Sequence, residues 1–371
     1  MKFLVTGTNG FIGKNLVLRL QELGHEAFPF VRGDSVESLG AMLDEVDGVF
    51  HLAGENRPSD ISAFESVNAG LTRALCQGIV NSGRNLPLLI TSSTQAGLDN
   101  AYGISKLAAE SAVEAMAEST GAAVAIYRLP GVFGKWCRPN YNSVVATFCY
   151  NLANGLEIKI NDPLATVNLV YVDDVVSSFM KTMNAMCDGQ RLGLQRPEVD
   201  PVYQVSLGAL AEQIRSFNNC RTSLVIEPVG AGLVRALYAT YVSYLPTNKF
   251  IYDVPAYGDE RGVFVEMLKT PDAGQFSFFT ALPGITRGGH YHHTKTEKFL
   301  VIRGKARFGF RQLLTNEHYE IVTDGAMPQI VETVPGWTHD VTNIGDDEMV
   351  VMLWANENFD RQHPDTIACK V

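Results

Sequence analysis

The chain has 371 residues, 46 % hydrophobic and 19 % charged, with a formal net charge of −10. That length leaves room for two globular domains with a core each, and the charge argues against non-specific nucleic-acid binding while allowing a local basic pocket for a phosphorylated ligand. Without eighteen uninterrupted apolar residues, a leader pattern or C-x-x-C spacing among its six cysteines, it reads as a cytoplasmic enzyme with neither membrane insertion nor a disulfide framework.

Lys2-Phe3-Leu4-Val5-Thr6 predicts a short buried strand that runs into Gly7-Thr8-Asn9-Gly10-Phe11-Ile12-Gly13. Leu16, Leu20 and Leu23 then recur at helical spacing. Strand, glycine turn and helix together make a dinucleotide fingerprint: glycines let the backbone approach a pyrophosphate, and the helix start offers free N–H groups. Gly7, Asn9, Gly10, Phe11, Ile12 and Gly13 are therefore cofactor candidates. A second strand over 26–31 leads to Arg32, where an acidic residue would hold an unmodified ribose; an arginine suits a 2′-phosphate and favours NADPH. Residues 47–54 form a further strand whose small C-terminal residues, Leu52, Ala53 and Gly54, would face the cofactor. Asn68 opens the next helical pattern, and a strand over 86–90 leads into Thr91-Ser92-Ser93-Thr94.

Tyr102-Gly103-Ile104-Ser105-Lys106 places a phenol and an ammonium four residues apart, on one helix face. The ammonium is expected to lower the phenol's pKa, so Tyr102 can exchange a proton, with Ser93 hydrogen-bonding the same substrate oxygen.

On these motifs, residues 1–245 resemble an extended short-chain dehydrogenase/reductase of the nucleotide-sugar type. His51-Leu52-Ala53-Gly54, the strand over 124–128 leading to Phe133-Gly134, and Tyr171-Val172-Asp173-Asp174 add to the likeness. Gly131 departs from it, since relatives often carry asparagine there. The resemblance implies a nucleotide-sugar pocket in the segment that follows, with Lys135, Arg138, Asn140 and Asn142 as substrate candidates; Trp136 and Tyr141 suit packing as well as stacking.

Helical patterns over 206–217 and 233–245 complete this lobe, and Tyr238, Tyr241 and Tyr244 form a stripe of the kind that packs. From Lys249 the period is that of strands, which divides the chain into residues 1–247 and 248–371. In the second part, His290 and His292 alternate onto one strand face, Glu297 follows, and His339 lies downstream with Asn343 four residues on. These spacings resemble the two motifs of the cupin barrel. The resemblance implies a divalent metal held by some set of His290, His292, Glu297 and His339, and this donor set suits zinc, iron or nickel. A metal-free epimerase cupin is the alternative.

The expected fold class is thus a Rossmann-type α/β reductase followed by an all-β cupin. That order resembles the CapF family of capsular-polysaccharide reductases with a C-terminal zinc-binding cupin. The resemblance implies a homo-oligomer that acts on a UDP-linked 4-keto-6-deoxy-N-acetyl-hexosamine, epimerising it at C3 and then reducing the ketone with NADPH. The product would be UDP-2-acetamido-2,6-dideoxy-L-talose, on the route to UDP-N-acetyl-L-fucosamine. The rival readings are a plain reductase with a ligand-binding or dimerising cupin, a non-catalytic NADPH sensor, and an iron-dependent dioxygenase cupin.

Overall fold

A computed structural model describes residues 1–190, 193–259, 262–265, 267–268, 270, 274–357 and 362–371. The chain forms two compact units. One comprises Met1–Ser143 with Val167–Gln204, the other Val144–Thr166 with Val205–Val371.

In the first unit β1 (Lys2–Thr6), α1 (Phe11–Glu22), β2 (Glu26–Phe30), α2 (Leu39–Asp44), β3 (Gly48–His51), α3 (Leu71–Ser82), β4 (Leu88–Ser93), α4 (Ala101–Thr120) and β5 (Val124–Leu129) alternate. Then comes β6 (Gly131–Phe133) and, beyond α5 (Val144–Ala153) of the other unit, β7 (Thr166–Tyr171), α6 (Val172–Cys187) and β8 (Leu194–Gln195). The main sheet is parallel, in the order β2-β1-β3-β4-β5-β8. Its strands are covered on both faces, so they read as apolar runs: Leu4, Val49, Leu88 and Ile126 pack with Leu75 and Ile79 of α3 and Val113 and Met116 of α4. The strand order reverses between β1 and β3, and a doubly wound sheet opens a ligand crevice beyond the strand ends at that point. The 26–31 and 86–90 expectations become Glu26–Phe30 and Leu88–Ser93.

β9 (Tyr203–Ser206) runs across the unit boundary at Gln204, and in the second unit α7 (Leu207–Ser223) and α8 (Gly232–Val242) precede the strands. β10 (Ile251–Asp253), a hairpin of β11 (Ala256–Asp259) and β12 (Gly262–Val265), and β13 (Gln275–Ala281) lead to β14 (Thr286–Tyr291), β15 (Glu297–Arg303), β16 (Lys305–Gln312) and β17 (His318–Asp324). β18 (Gln329–Glu332), β19 (Trp337–Asn343), β20 (Met349–Ala355) and β21 (Ile367–Ala368) follow. Two five-stranded sheets result, β10-β18-β15-β20-β13 and β17-β16-β19-β14-β21. The pairings within them are antiparallel. They face each other through aromatic rings, Phe299 lying 5.6 Å from Phe308. The fold class is that expected from the sequence, a parallel α/β sheet followed by an antiparallel all-β region.

The tyrosine stripe of α8 and the turn after it packs. Tyr238 and Tyr241 are buried against Phe217, and Tyr244 stands 6.4 Å from Tyr150. The same unit buries an ion network in which Glu332 takes up both Arg221 of α7 and Lys298 of β15, with Lys298 Nζ also donating to the Tyr252 hydroxyl at 3.1 Å.

Candidate active and metal sites

The glycine turn after β1 is shaped by close backbone approach. Gly7 has φ +74°, and a Cβ there would lie 2.8 Å from the Ala53 nitrogen; one on Gly13 would lie 2.2 Å from the Gly7 carbonyl oxygen. The turn therefore sits directly against the Leu52–Ala53 backbone, and no side chain fits between them. α1 begins at Phe11 behind Gly10, which carries no capping side chain, so its first N–H groups face outward as a phosphate cradle requires. Space that any Cβ would fill is the fit expected of a dinucleotide site.

His51, in the same H-L-A-G run, is structural. Its ring is held between the Thr6 and Thr72 hydroxyls, each 2.8 Å away, and burial, with a further push from the Lys106 charge, lowers its pKa to about 3. It is a neutral tie between β1, β3 and α3.

Tyr102 and Lys106 occupy the first turns of α4, whose start is capped by Asn100 accepting from the Gly103 N–H at 2.8 Å. Tyr102 stands near Ser93, at the end of β4, close enough for the Ser93 hydroxyl to act on the phenol. Lys106 is buried; its Nζ donates to the Thr91 carbonyl at 3.2 Å and lies 3.0 Å from where a Cβ of Gly54 would be. Burial lowers the Lys106 pKa to about 8 against the opposing pull of Glu110. The Tyr102 phenol is moved up, not down: burial raises it and the Ser93 hydroxyl only partly offsets this. The expected lowering by Lys106 is therefore corrected, because the ammonium is turned to the Thr91 carbonyl.

Three residues that hold this arrangement escaped the sequence reading. A Cβ on Gly103 would stand 2.4 Å from the Leu98 carbonyl oxygen and 2.5 Å from that of Gln95, so only glycine lets α4 close against the loop after Ser93. A glycine inside a helix costs about 1 kcal/mol relative to alanine, and that cost is a readable sign of close approach. Asn68 lies within a π-helical turn over Phe64–Gly70 that continues into α3, not at a helix start; its side chain accepts from Glu55 N at 2.8 Å and donates to the Ser105 hydroxyl at 3.0 Å, fixing the loop next to Gly54. Glu110, one turn beyond Lys106 and fully buried, takes Arg128 in two directions at 2.9 and 2.6 Å and accepts from Ser92.

Arg32 is exposed beyond β2 and pairs with Glu55. Among the substrate candidates, Arg138, Asn140 and Asn142 are exposed, and Arg138 stacks over the Tyr141 ring at 5.1 Å. Lys135 is not displayed with them. It is buried, with its Nζ 2.8 Å from Asp173 Oδ1, so it braces the segment to α6. Trp136 and Asn140 have φ of 67° and 54°, a left-handed strain that fixes the course of this loop. Gly131 pairs with Leu169, and a Cβ there would stand 3.1 Å from the Asn168 carbonyl oxygen, a tight contact.

In the second unit His290 (β14), His292, Glu297 (β15) and His339 (β19) converge, with one donor atom of each lying within 4.8 Å of the others. His292 Nε2 and His339 Nε2 lie 3.0 and 3.3 Å from the same oxygen, Glu297 Oε2. Burial, then the neighbouring His339 and His292, lowers the His290 pKa to about 3, and burial also lowers that of His339. The His292 Nδ1 meets the carbonyl oxygen of Asp365, which fixes the orientation of the ring with its Nε2 directed at the Glu297 carboxylate. Neither ring nitrogen of His339 has a hydrogen-bond partner. Three imidazoles and a carboxylate that converge on one buried point form a donor set a cation between them would satisfy, and tetrahedral ligands at bonds of about 2.0 Å stand about 3.3 Å apart. The donor set fits zinc or a similar transition metal.

Asp365 is the fourth residue that went unread. Its carboxylate accepts from the backbone N–H groups of His293, Thr294 and Lys295 at 2.9, 2.7 and 2.8 Å. Burial would raise its pKa, but His293 and these N–H groups draw it down to about 2.

Residues 3–192 match the NAD dependent epimerase/dehydratase family and residues 257–367 the polysaccharide biosynthesis C-terminal domain. A Pseudomonas aeruginosa protein described as UDP-2-acetamido-2,6-beta-L-arabino-hexul-4-ose reductase is 58 % identical, over 100 % of this chain and 99 % of its own. The chain belongs to the NAD dependent epimerase/dehydratase family. Its two-part arrangement is that of CapF: the Staphylococcus aureus capsular polysaccharide assembling protein CapF shares 38 % identity across 100 % of both chains, with a TM-score of 0.68. A UDP-N-acetylglucosamine 4-epimerase from Bacillus cereus, 20 % identical over 59 % of this chain and 82 % of its own with a TM-score of 0.52, shares the fold of the first part. The two matched families make this a nicotinamide-dependent enzyme of polysaccharide biosynthesis. Among the described residues, no helix is long and apolar enough to cross a membrane.

Proposed function

We propose that the chain reduces the 4-keto group of a UDP-linked 4-keto-6-deoxy-N-acetyl-hexosamine with NADPH, after C3 epimerisation in the β-region, to give UDP-2-acetamido-2,6-dideoxy-L-talose on the route to UDP-N-acetyl-L-fucosamine. The reduction is supported by one observation: Tyr102 stands beside Ser93 at the end of β4, with Lys106 one turn along α4. The substrate follows from the reductase that is 58 % identical over the whole chain.

NADPH, when bound on the Gly7–Gly13 turn, supplies the hydride for C4. Ser93 donates to the ketone oxygen and orients it. Tyr102 passes its phenolic proton to that oxygen as negative charge develops there, and its raised pKa keeps the proton in place until then. Lys106, one turn along α4 from Tyr102, would hold the nicotinamide ribose and stabilise the resulting phenolate. Arg32 is the residue suited to the ribose 2′-phosphate, and Arg138, Asn140 and Asn142 are the exposed polar groups suited to the nucleotide sugar. Lys135 supports them from below through Asp173.

In the β-region His290, His292, Glu297 and His339 would hold a divalent metal, zinc first, whose Lewis acidity makes a C–H beside a ketone easier to ionise. Functionally we divide the chain into a reductase part, 1–247, and a metal-binding cupin part, 248–371, although α5, α7 and α8 belong to the second compact unit. A homo-oligomer in the cytoplasm, where sugar nucleotides and NADPH are at hand, completes the reading. The test is NADPH oxidation by the purified chain with the UDP-linked 4-keto sugar. Turnover that Tyr102→Phe abolishes is expected; no oxidation with this substrate would overturn the assignment.

A further inference from the structure

The turn between the second and third histidine-cluster residues is short, and a single carboxylate from the end of the chain organises it. Asp365 gathers three successive N–H groups, those of His293, Thr294 and Lys295, and accepts the Thr294 hydroxyl at 3.1 Å. Successive N–H groups that converge on one anion form a rigid nest. The carbonyl oxygen of the same residue meets His292 Nδ1, so one residue fixes both the path of the turn and the orientation of the ring. His292 Nε2 is thereby presented to Glu297 Oε2 at 3.0 Å.

We propose that Asp365 is the positioning residue that sets how tightly the His290–His292–Glu297–His339 cluster takes up a divalent metal. The proposal rests on the reading of that cluster as a metal site. Groups that orient a metal-bound imidazole change affinity without touching the ion. The turn has other supports that keep it folded when the carboxylate is altered: Asn356 accepts from Thr296 N at 2.8 Å and donates to the Thr294 carbonyl at 3.2 Å, and Arg235 donates to the Thr294 hydroxyl. An Asp365 variant is thus expected to keep the β-region while letting the turn, and the His292 ring with it, move away from the other donors.

The test uses the full-length protein, freed of metal, and zinc(II) alone in competition with a chromogenic chelator. Wild type, Asp365→Asn and Asp365→Ala are compared with Val351→Ala, which opens a cavity in buried β20 of the same unit and lowers stability without touching the cluster. The zinc Kd is expected to rise by roughly 10- to 100-fold in both Asp365 variants and to stay put in Val351→Ala. Equal affinity in wild type and Asp365 variants would overturn the role of Asp365 while leaving the metal reading standing. Equal weakening in Val351→Ala, at matched loss of thermal stability, would reduce Asp365 to a structural residue. A wild type that does not compete for zinc at all would remove the metal reading, and this proposal with it.

Discussion

The reductase groups and the histidine cluster reach convergence by different routes. In the parallel-sheet unit the groups come from short local runs, Gly7 to Gly13 on one turn and Tyr102 and Lys106 on one helix, and the fit is made by missing Cβ atoms at Gly7, Gly13, Gly54 and Gly103. In the β-region the four donors come from three strands and a turn, and the fit is made by side chains whose donor atoms converge on one buried point. A site of the first kind is preorganised by backbone packing and is ready for a ligand that brings its own charge. A site of the second kind is assembled from side chains that only the folded sheets bring together. The two should therefore fail separately.

The largest expected effect is on the reductase groups. Tyr102→Phe should lower the rate of NADPH-dependent reduction by roughly 10²- to 10⁴-fold while nucleotide binding, followed by fluorescence titration, is retained. If reduction persists at the wild-type rate, another group donates the proton. His339→Ala should abolish metal uptake, read by elemental analysis, and leave reduction of an already epimerised sugar unchanged; a parallel loss of that reduction would dissolve the distinction between the two sites.

A smaller effect is expected in the buried ion network of the second unit. Glu332→Gln leaves Arg221 and Lys298 without their carboxylate and should cost about 3 kcal/mol, measured by denaturant unfolding of the second unit. The pH dependence sharpens the picture of the Tyr–Lys pair. With the Lys106 pKa near 8, below its ordinary 10.5, the unfolded chain binds a proton that the folded one has lost between those values. This group's contribution to stability therefore rises with pH across that window, whereas reduction should fall above about pH 8 as the ammonium is lost. The opposite trends are read from thermal unfolding and from kcat against pH, and the limb near pH 8 should be absent in Lys106→Arg. The smallest effect is expected from exposed Arg32: Arg32→Ala should raise KM for NADPH by about tenfold and leave that for NADH nearly unchanged.

How much of this was legible in the chain depends on how far apart the cooperating residues lie. The glycine turn, the Tyr102–Lys106 pair and the change from helical to strand period are local, so spacing alone carries them. His290 and His292 are legible as a pair from their spacing, although β14 ends at Tyr291 and His292 sits in the turn beyond it rather than on the expected strand face; Glu297 and His339 come from their motifs. What spacing could not carry are partners that meet through the fold: Asp365 lies 73 positions beyond His292, and Glu110 meets Arg128 and Ser92 only once β4, β5 and α4 are assembled. Lys135 shows the converse error. Its place in a cationic, aromatic segment suggested display to a diphosphate, but an acid 38 positions away in α6 turns it inward. The Tyr102 pKa was misjudged for a similar reason, since burial outweighs a charge that points elsewhere.

The central claim, that both parts act on one sugar, is tested most directly by mass spectrometry of the product formed from the UDP-linked 4-keto-6-deoxy-N-acetyl sugar with NADPH in D₂O. A reduced sugar that carries solvent deuterium on carbon is predicted, with that label lost in His339→Ala. A reduced sugar without carbon-bound deuterium would contradict the claim and leave a reductase whose β-region does no chemistry on the substrate.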